Sequence, residues 1–350
     1  MFKDGARYNG IGPWMKEYFG GRTVKLAIDG GFTCPNRDGT LSSDGCIFCS
    51  SSGSGDFTSG RRLSITEQMR AQVEIMSEKW RSARFIAYFQ NYTNTYAPTA
   101  TLTRRYSEAL SFPGCCGLAI ATRPDCLSNE VVALLSDLNK KTFLWVELGL
   151  QTSNDSTAEI INRCCTTSVY DDAVKRLTSA GIRVVTHIIF GLPGETRSDM
   201  LETVRCVCQY HIFGIKIHLL HIMKGTLLGQ EYLSRQGAAL NSLYADLNNA
   251  SDISDAAPGA AHTTAQRSLY SLPALPEITP MEKDDYINVV ADALEIIPPD
   301  ITIHRLTGDA PRDLLIAPLW SRDKKSVLNG INMELKKRGT MQGSRVISWL

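Results

Sequence analysis

Cys34, Cys46 and Cys49 form a C-x11-C-x2-C pattern in a stretch rich in Gly, Asp, Asn and Ser. Three thiolates on one loop can hold one metal centre. Structural zinc takes four protein ligands, and no nearby His or Cys completes such a set. A four-iron cluster normally takes four Cys, so three would leave one iron open to a substrate or cofactor. Phe48 makes the last turn C-x-aromatic-C. The other seven Cys (115, 116, 126, 164, 165, 206 and 208) read as ordinary thiols. Adjacent residues of a strand point to opposite faces, and free thiols are common in cores. Two more groups carry chemistry. His218 and His221, with His211 further off, flank one apolar run and stand near Lys224. His304, Arg305 and Asp309 suit anion binding by Arg305 and proton transfer by His304 or Asp309.

Positioning these residues needs a scaffold, and the apolar runs supply it. Val24–Ile28, Phe85–Phe89, Gly117–Ala121, Leu144–Leu148, Val184–Phe190 and Ile215–Leu220 are short and rich in β-branched or aromatic residues. Such runs read as strands covered on both faces. Helix-length stretches separate them: Thr66–Arg81, Asn129–Leu138, Tyr170–Ala180 and Thr196–His211. The alternation predicts an α/β fold with a parallel sheet. The cysteine loop then follows the first strand, at the end where α/β folds place their chemistry. Gln236–Glu277 differs, being rich in Ala, Ser and Asn with few charges, and reads as a flexible insertion. Order should resume at Thr279-Pro280-Met281-Glu282, which has the pattern of a helix start, with the helix running to Ile296. A strand at Ile301–His304 and a helix at Ser326–Arg338 follow.

The chain has 350 residues, 37 Lys+Arg against 36 Asp+Glu, and 43% hydrophobic residues. That excludes a disordered or collagen-like chain. A net charge of +1 argues against a globally basic nucleic-acid binder, so any RNA footprint must be local. No apolar run reaches about 18 residues, so no membrane-spanning helix is expected. The first residues lack an apolar signal region, so a cytoplasmic protein without membrane partners is expected.

The motifs add a family. Asp29–Thr40 (DGGFTCPNRDGT), Gly45–Cys49 (GCIFC), Tyr88–Pro98 (YFQNYTNTYAP), Glu147–Thr152 (ELGLQT), His187–Thr196 (HIIFGLPGET) and Ile303–Pro311 (IHRLTGDAP) are distinctive. With them, the sequence resembles the radical S-adenosylmethionine (SAM) superfamily, in particular its YhcC/YtqA branch, related to the Elongator catalytic subunit. The resemblance implies a partial (β/α)6 barrel with a C-terminal α/β extension. Residues 1–235 would form the barrel with the cluster loop, 236–277 the insertion, and 278–350 the extension packed on the barrel. Cys34, Cys46 and Cys49 would ligate a [4Fe–4S] cluster whose fourth iron binds SAM. Phe48, Gln90, Asn91, Thr122, Gln151, Arg163, His187, Gly191 and Pro193 would contact SAM, with Gln151 and His187 at the ribose and Arg163 at the carboxylate. His304, Arg305, Asp309 and Lys224 would face the substrate.

The implied activity is one-electron cleavage of SAM to a 5′-deoxyadenosyl radical, with flavodoxin or ferredoxin as electron donor. The favoured substrate is tRNA, at the 5-substituent of the wobble uridine, from carboxymethylaminomethyl toward aminomethyl. Arg61-Arg62, Arg104-Arg105, Lys324-Lys325 and Lys336-Lys337-Arg338 are the basic groups available to phosphates. The alternatives are a small-metabolite or protein substrate, and a non-catalytic iron–sulfur or zinc protein.

Overall fold

The computed structural model describes residues 2, 5–51, 53, 58, 60, 62–76, 84–237 and 275–346. Seven strands form one parallel sheet: β1 (Thr23–Ile28), β2 (Arg84–Phe89), β3 (Cys115–Thr122), β4 (Phe143–Gln151), β5 (Arg183–Phe190), β6 (Gly214–Leu219) and β8 (Thr302–Arg305). They lie side by side in chain order, with β8 beside β6. All six expected apolar runs are strands of this sheet, and β8 adds the seventh. The sheet is the expected parallel α/β half-barrel.

Helices α2 (Ile65–Met76), α3 (Thr99–Leu110), α4 (Asn129–Asn139), α6 (Thr167–Ser179) and α7 (Arg197–Cys208) cover its outer face. Local chemistry sets their starts. Ser128 accepts from the Val131 amide to cap α4, and Thr196 and Asp199 make a reciprocal capping box on α7. Helices α1 (Ile11–Tyr18), α3 and α5 (Asp155–Ile160) were not foreseen. Helix α3 starts after Pro98 and buries Leu102, Tyr106 and Ala109. The end expected for the second helix, near Arg81, lies outside the described residues.

Alternate residues of each strand face the inside of the half-barrel, as a period of two requires. At the end where the strands begin, Trp14 of α1 meets Phe143, Phe213 and Tyr18, and Phe213 and Trp145 meet the ring of His304. This aromatic plug closes the bottom of the barrel. Polar chemistry is left for the other end.

The C-terminal part completes the wall. Helix α8 starts at 227 and is described to 237. Strand β7 (Ile222–Met223) pairs antiparallel with β9 (Leu315–Ala317). Helix α9 (Lys283–Ile296) packs against α7 and α10 (Lys324–Arg338). The helix expected from Thr279 begins four residues later, with Glu282 as its N-cap. Residues 279–282 are held out of the helix because Trp320 Nε1 donates to the Met281 carbonyl (3.0 Å) and Met281 packs on Gly191. The expected insertion falls almost wholly on residues outside the described set. Its two flanks meet: Arg235 of α8 donates to the carbonyls of Leu275 (2.7 Å) and Pro276 (2.9 Å).

Candidate active site

The loop after β1 is fixed from three sides. Gln68 of α2 accepts from the Asp29 amide (2.9 Å) and donates to the Asp29 carbonyl (3.0 Å). Asp29 accepts from Gly31 N (2.8 Å) and from the Asn91 amide (3.1 Å). Further along, Asn162 donates to the Gly45 carbonyl (2.7 Å), and Asn36 donates to the Asn162 carbonyl (2.6 Å) and to Cys46 Sγ (3.6 Å). Gly45 sits at φ +76°, which a side chain would strain, and an added Cβ would fall 2.8 Å from Arg37. Arg37 spans the loop to the carbonyls of Cys49 (2.8 Å) and Ser50 (2.7 Å).

This lacing brings Cys34, Cys46 and Cys49 to one cavity of about 440 Å³ at the C-terminal ends of the strands. Burial, with Cys49 adding to it, pushes the Cys46 thiol up to about 12. A metal centre must therefore displace a firmly held proton. Among the described residues, no three Cys, His, Asp or Glu side chains gather tightly enough for a single ion. Three thiols around one roomy cavity, with an amide N–H on one sulfur, suit an iron–sulfur cluster.

The floor of the same cavity is polar and charged. Glu147 on β4 is fully buried. Its Oε1 accepts from Trp145 Nε1 (2.9 Å), and its Oε2 meets His187 Nε2 (2.9 Å) and Lys216 Nζ. Lys216 also donates to the Tyr88 hydroxyl (3.1 Å). The register explains the gathering. His187, Lys216 and Arg305 are lateral neighbours on β5, β6 and β8. Burial opposes charge on Glu147, yet Lys216, His187 and Lys25 hold its carboxyl well below the usual range. Burial, with Lys216 adding to it, pushes His187 down to about 4. The site thus holds a buried carboxylate, an amine, a phenol and neutral imidazoles under a thiol-lined mouth.

Comparison with known proteins agrees with this geometry. The profile of the Radical SAM superfamily matches residues 33–207, and that of the Radical_SAM C-terminal domain matches residues 268–337. YtqA of Bacillus subtilis is 42% identical over 337 residues, covering 96% of this chain and 92% of that protein. The chain belongs to the radical SAM superfamily. A tRNA uridine(34) acetyltransferase of Dehalococcoides mccartyi is 24% identical over 227 residues, 64% of this chain and 39% of that protein. The solved structure of Methanocaldococcus infernus Elp3 shares the fold with a TM-score of 0.60 at 15% identity. It covers 91% of this chain and 64% of that one.

The radical SAM cofactors are a [4Fe–4S] cluster and SAM, and the thiol set described above fits the cluster. Phe48, Gln90, Thr122, Gln151, Arg163, His187, Arg305 and Asp309 line the cavity with the cysteines, as do His218 and His221. Gln151 ends β4 at φ +63°, a left-handed conformation costly for a non-glycine residue and typical of functional sites. Cys165, set aside as an ordinary thiol, also lines the cavity.

The structure places several of the other expected residues away from the cavity or engages them elsewhere. Asn91 is not on the cavity wall: it is buried and spends its amide on Asp29 and Thr58. Gly191 and Pro193 line a neighbouring cavity of about 470 Å³ instead, where Met281 packs against the turn. Lys224 is exposed, and its backbone donates to the Leu314 carbonyl (2.8 Å). His304 points to the aromatic plug, with Nε2 on Thr302 Oγ1 (3.0 Å). His304 falls at the register shift between β6 and β8, where it has no ladder partner. Arg163 lines the cavity, but Nε and Nη1 serve the carbonyls of Cys165 (2.6 Å), Leu150 and Thr152 (2.6 Å), and Nη2 meets Asp155 (3.1 Å). Its fork is hydrogen-bonded to these carbonyls and to Asp155. His211 is exposed. Of the expected basic footprint, Arg338 is committed to Asp292 (2.8 Å), Glu334 (2.9 Å) and Asn288 (2.9 Å), and Lys324 to Asp309 (2.7 Å). Arg61 lies outside the described residues. No described helix is long and apolar enough to cross a membrane.

Sequence reasoning missed Tyr88, Glu147 and Lys216. A signal was present: a lone charge in an otherwise apolar strand, as in Trp145-Val146-Glu147-Leu148 and Ile215-Lys216-Ile217.

Proposed function

We propose that this radical SAM enzyme modifies tRNA at the wobble uridine, remodelling its 5-substituent from the carboxymethylaminomethyl toward the aminomethyl type. The observation that carries the reading is the charged row under the cysteine loop. Glu147, His187, Lys216 and Arg305 share one cavity with the three thiols. The bound cluster and SAM would supply a 5′-deoxyadenosyl radical for hydrogen abstraction. The chain's own residues do the rest. Cys34, Cys46 and Cys49 hold the cluster, and Gln90, Thr122 and Gln151 stand on the wall where SAM would lie. Lys216, Glu147 and His187 provide proton carriers beneath, in a pocket closed from below by the aromatic plug. A volume of about 440 Å³ suits small reacting groups, so a macromolecular substrate would enter only by its reacting end. A wobble base taken out of its stack fits that demand. Kinship with a tRNA uridine(34) acetyltransferase supports the choice of RNA. A flavodoxin or ferredoxin type of donor would provide the electron.

The test is the nucleoside profile of tRNA from cells with and without the gene. Loss of an aminomethyl-type wobble uridine, with accumulation of the carboxymethylaminomethyl form, is expected. An unchanged profile removes the RNA reading.

A further inference from the structure

At the rim of the charged row, Arg305 lacks a full partner. Its ion pair with Asp309 spans 3.4 Å, while Lys324 grips both oxygens of Asp309 at 2.7 and 3.0 Å. One carboxylate is thus shared by two cations, and a positive charge is left over. The Arg305 side chain is about one-third exposed, and it lines the cavity.

Beside it stand two imidazoles with unmet hydrogen bonds. His218 Nε2 and His221 Nε2 are both buried without a partner, and both rings line the same cavity. An unmet buried polar atom is costly and calls for a reason. Burial drives both imidazoles toward the neutral form, so each can present one N–H without demanding a counter-charge. The loop is shaped for this. Gly308 packs so close to His221 that an added Cβ would fall 2.8 Å from its Cε1. A glycine there lets the Arg305–Asp309 turn close on the imidazole.

A guanidinium fork, two idle imidazole nitrogens and a surplus positive charge share one chemistry, the binding of an oxyanion. We propose that Arg305, with Nε2 of His218 and of His221, forms an oxyanion subsite that takes the carboxylate of the substrate's reacting side chain. The choice of carboxylate over phosphate follows from the pocket. The subsite lies inside the chamber, next to Lys216, where a base substituent reaches and a chain phosphate is less suited. This choice rests on the wobble-uridine reading; the oxyanion subsite itself does not.

The test uses reconstituted holoenzyme and three anticodon-loop RNAs of one sequence. They carry carboxymethylaminomethyluridine, aminomethyluridine or plain uridine at the wobble position. Wild type should bind the first at least tenfold more tightly than the second. Arg305→Gln should erase that gap and leave the other two affinities in place, with iron content and circular dichroism confirming the fold. Arg305→Lys, which keeps the charge and loses the fork, should restore part of it. Equal weakening of all three RNAs by Arg305→Gln would also support the subsite, with a backbone phosphate as its oxyanion. No change in any of them overturns it. If wild type binds no RNA, the RNA reading fails, and a second readout decides the subsite. N-methylglycine or inorganic phosphate should protect Arg305 from phenylglyoxal, read by peptide mass spectrometry, where methylamine does not. Absence of protection overturns the proposal.

Discussion

Lys216 Nζ and Glu147 Oε2 meet in a buried ion pair that joins β6 to β4 across β5. The side chains are 3% and 0% exposed. Breaking one partner of such a pair strands the other charge, at a cost of ~3–5 kcal/mol. Glu147→Gln should therefore lower the urea midpoint markedly. The double variant Glu147→Gln/Lys216→Met should recover much of that loss and remain without turnover. Recovery of both stability and turnover would make the pair structural only. The two measurements are equilibrium unfolding and product formation.

The cluster ligands can be separated from the bystander thiol beside them. Reconstituted wild type should carry about four iron per chain. Cys46→Ala should lose it and release no 5′-deoxyadenosine from SAM under reductant. Cys165→Ala, on the same cavity wall, should keep its iron. Iron assay and chromatography of the nucleoside check both, and iron retained by Cys46→Ala would overturn the ligand assignment.

Stability should depend on pH through His187. In the unfolded chain its imidazole titrates near 6.5, and in the fold burial and Lys216 push it down to about 4. Glu147, Lys216, Arg305 and His218 are the groups that face it. As pH falls from 6.5 the unfolded chain takes up a proton that the fold refuses, so unfolding gains. The contribution is complete above pH 6.5 and lost by about pH 4. His221, also pushed down to about 4, works in the same window. His187→Gln should flatten, without abolishing, the drop in urea midpoint between pH 6.5 and 4.5. A drop as steep as that of wild type counts against the assignment.

Arg163 is a backbone clamp. It ties the end of β4, at Leu150 and Thr152, to Cys165 and to Asp155. Lysine cannot reach several carbonyls in fixed directions from one nitrogen. Arg163→Lys should destabilise the apoprotein by about 2 kcal/mol. Thermal unfolding measures the effect. Unchanged stability with a raised KM for SAM would mean that the fork serves the cofactor after all.

The strands were legible because each is a mostly apolar run interrupted by one or two polar residues at most, as a sheet covered on both faces demands. The cluster loop was legible because its thiol spacing is local in sequence. The charged row was not, since Glu147, His187, Lys216 and Arg305 come from four strands, and only ladder register brings them together. His304 and Arg305 show the limit most plainly. The sequence groups them as neighbours, but His304 falls in the register shift between β6 and β8, so its ring meets the aromatic plug while Arg305 pairs with Lys216 and lines the cavity. Helix α9 failed at its start because the cap pattern at Thr279–Glu282 was outweighed by tertiary contacts of Met281 with Trp320 and Gly191.

Arg235 holds the carbonyls of Leu275 and Pro276, so the chain leaves and re-enters the barrel wall through a single side chain. The points where the described chain breaks off at 237 and resumes at 275 are thus tied together by one guanidinium. The length of chain joining two points already held together alters the closure entropy only slowly. A graft of foreign sequence between these two points is therefore the natural place to attach a reporter to the enzyme.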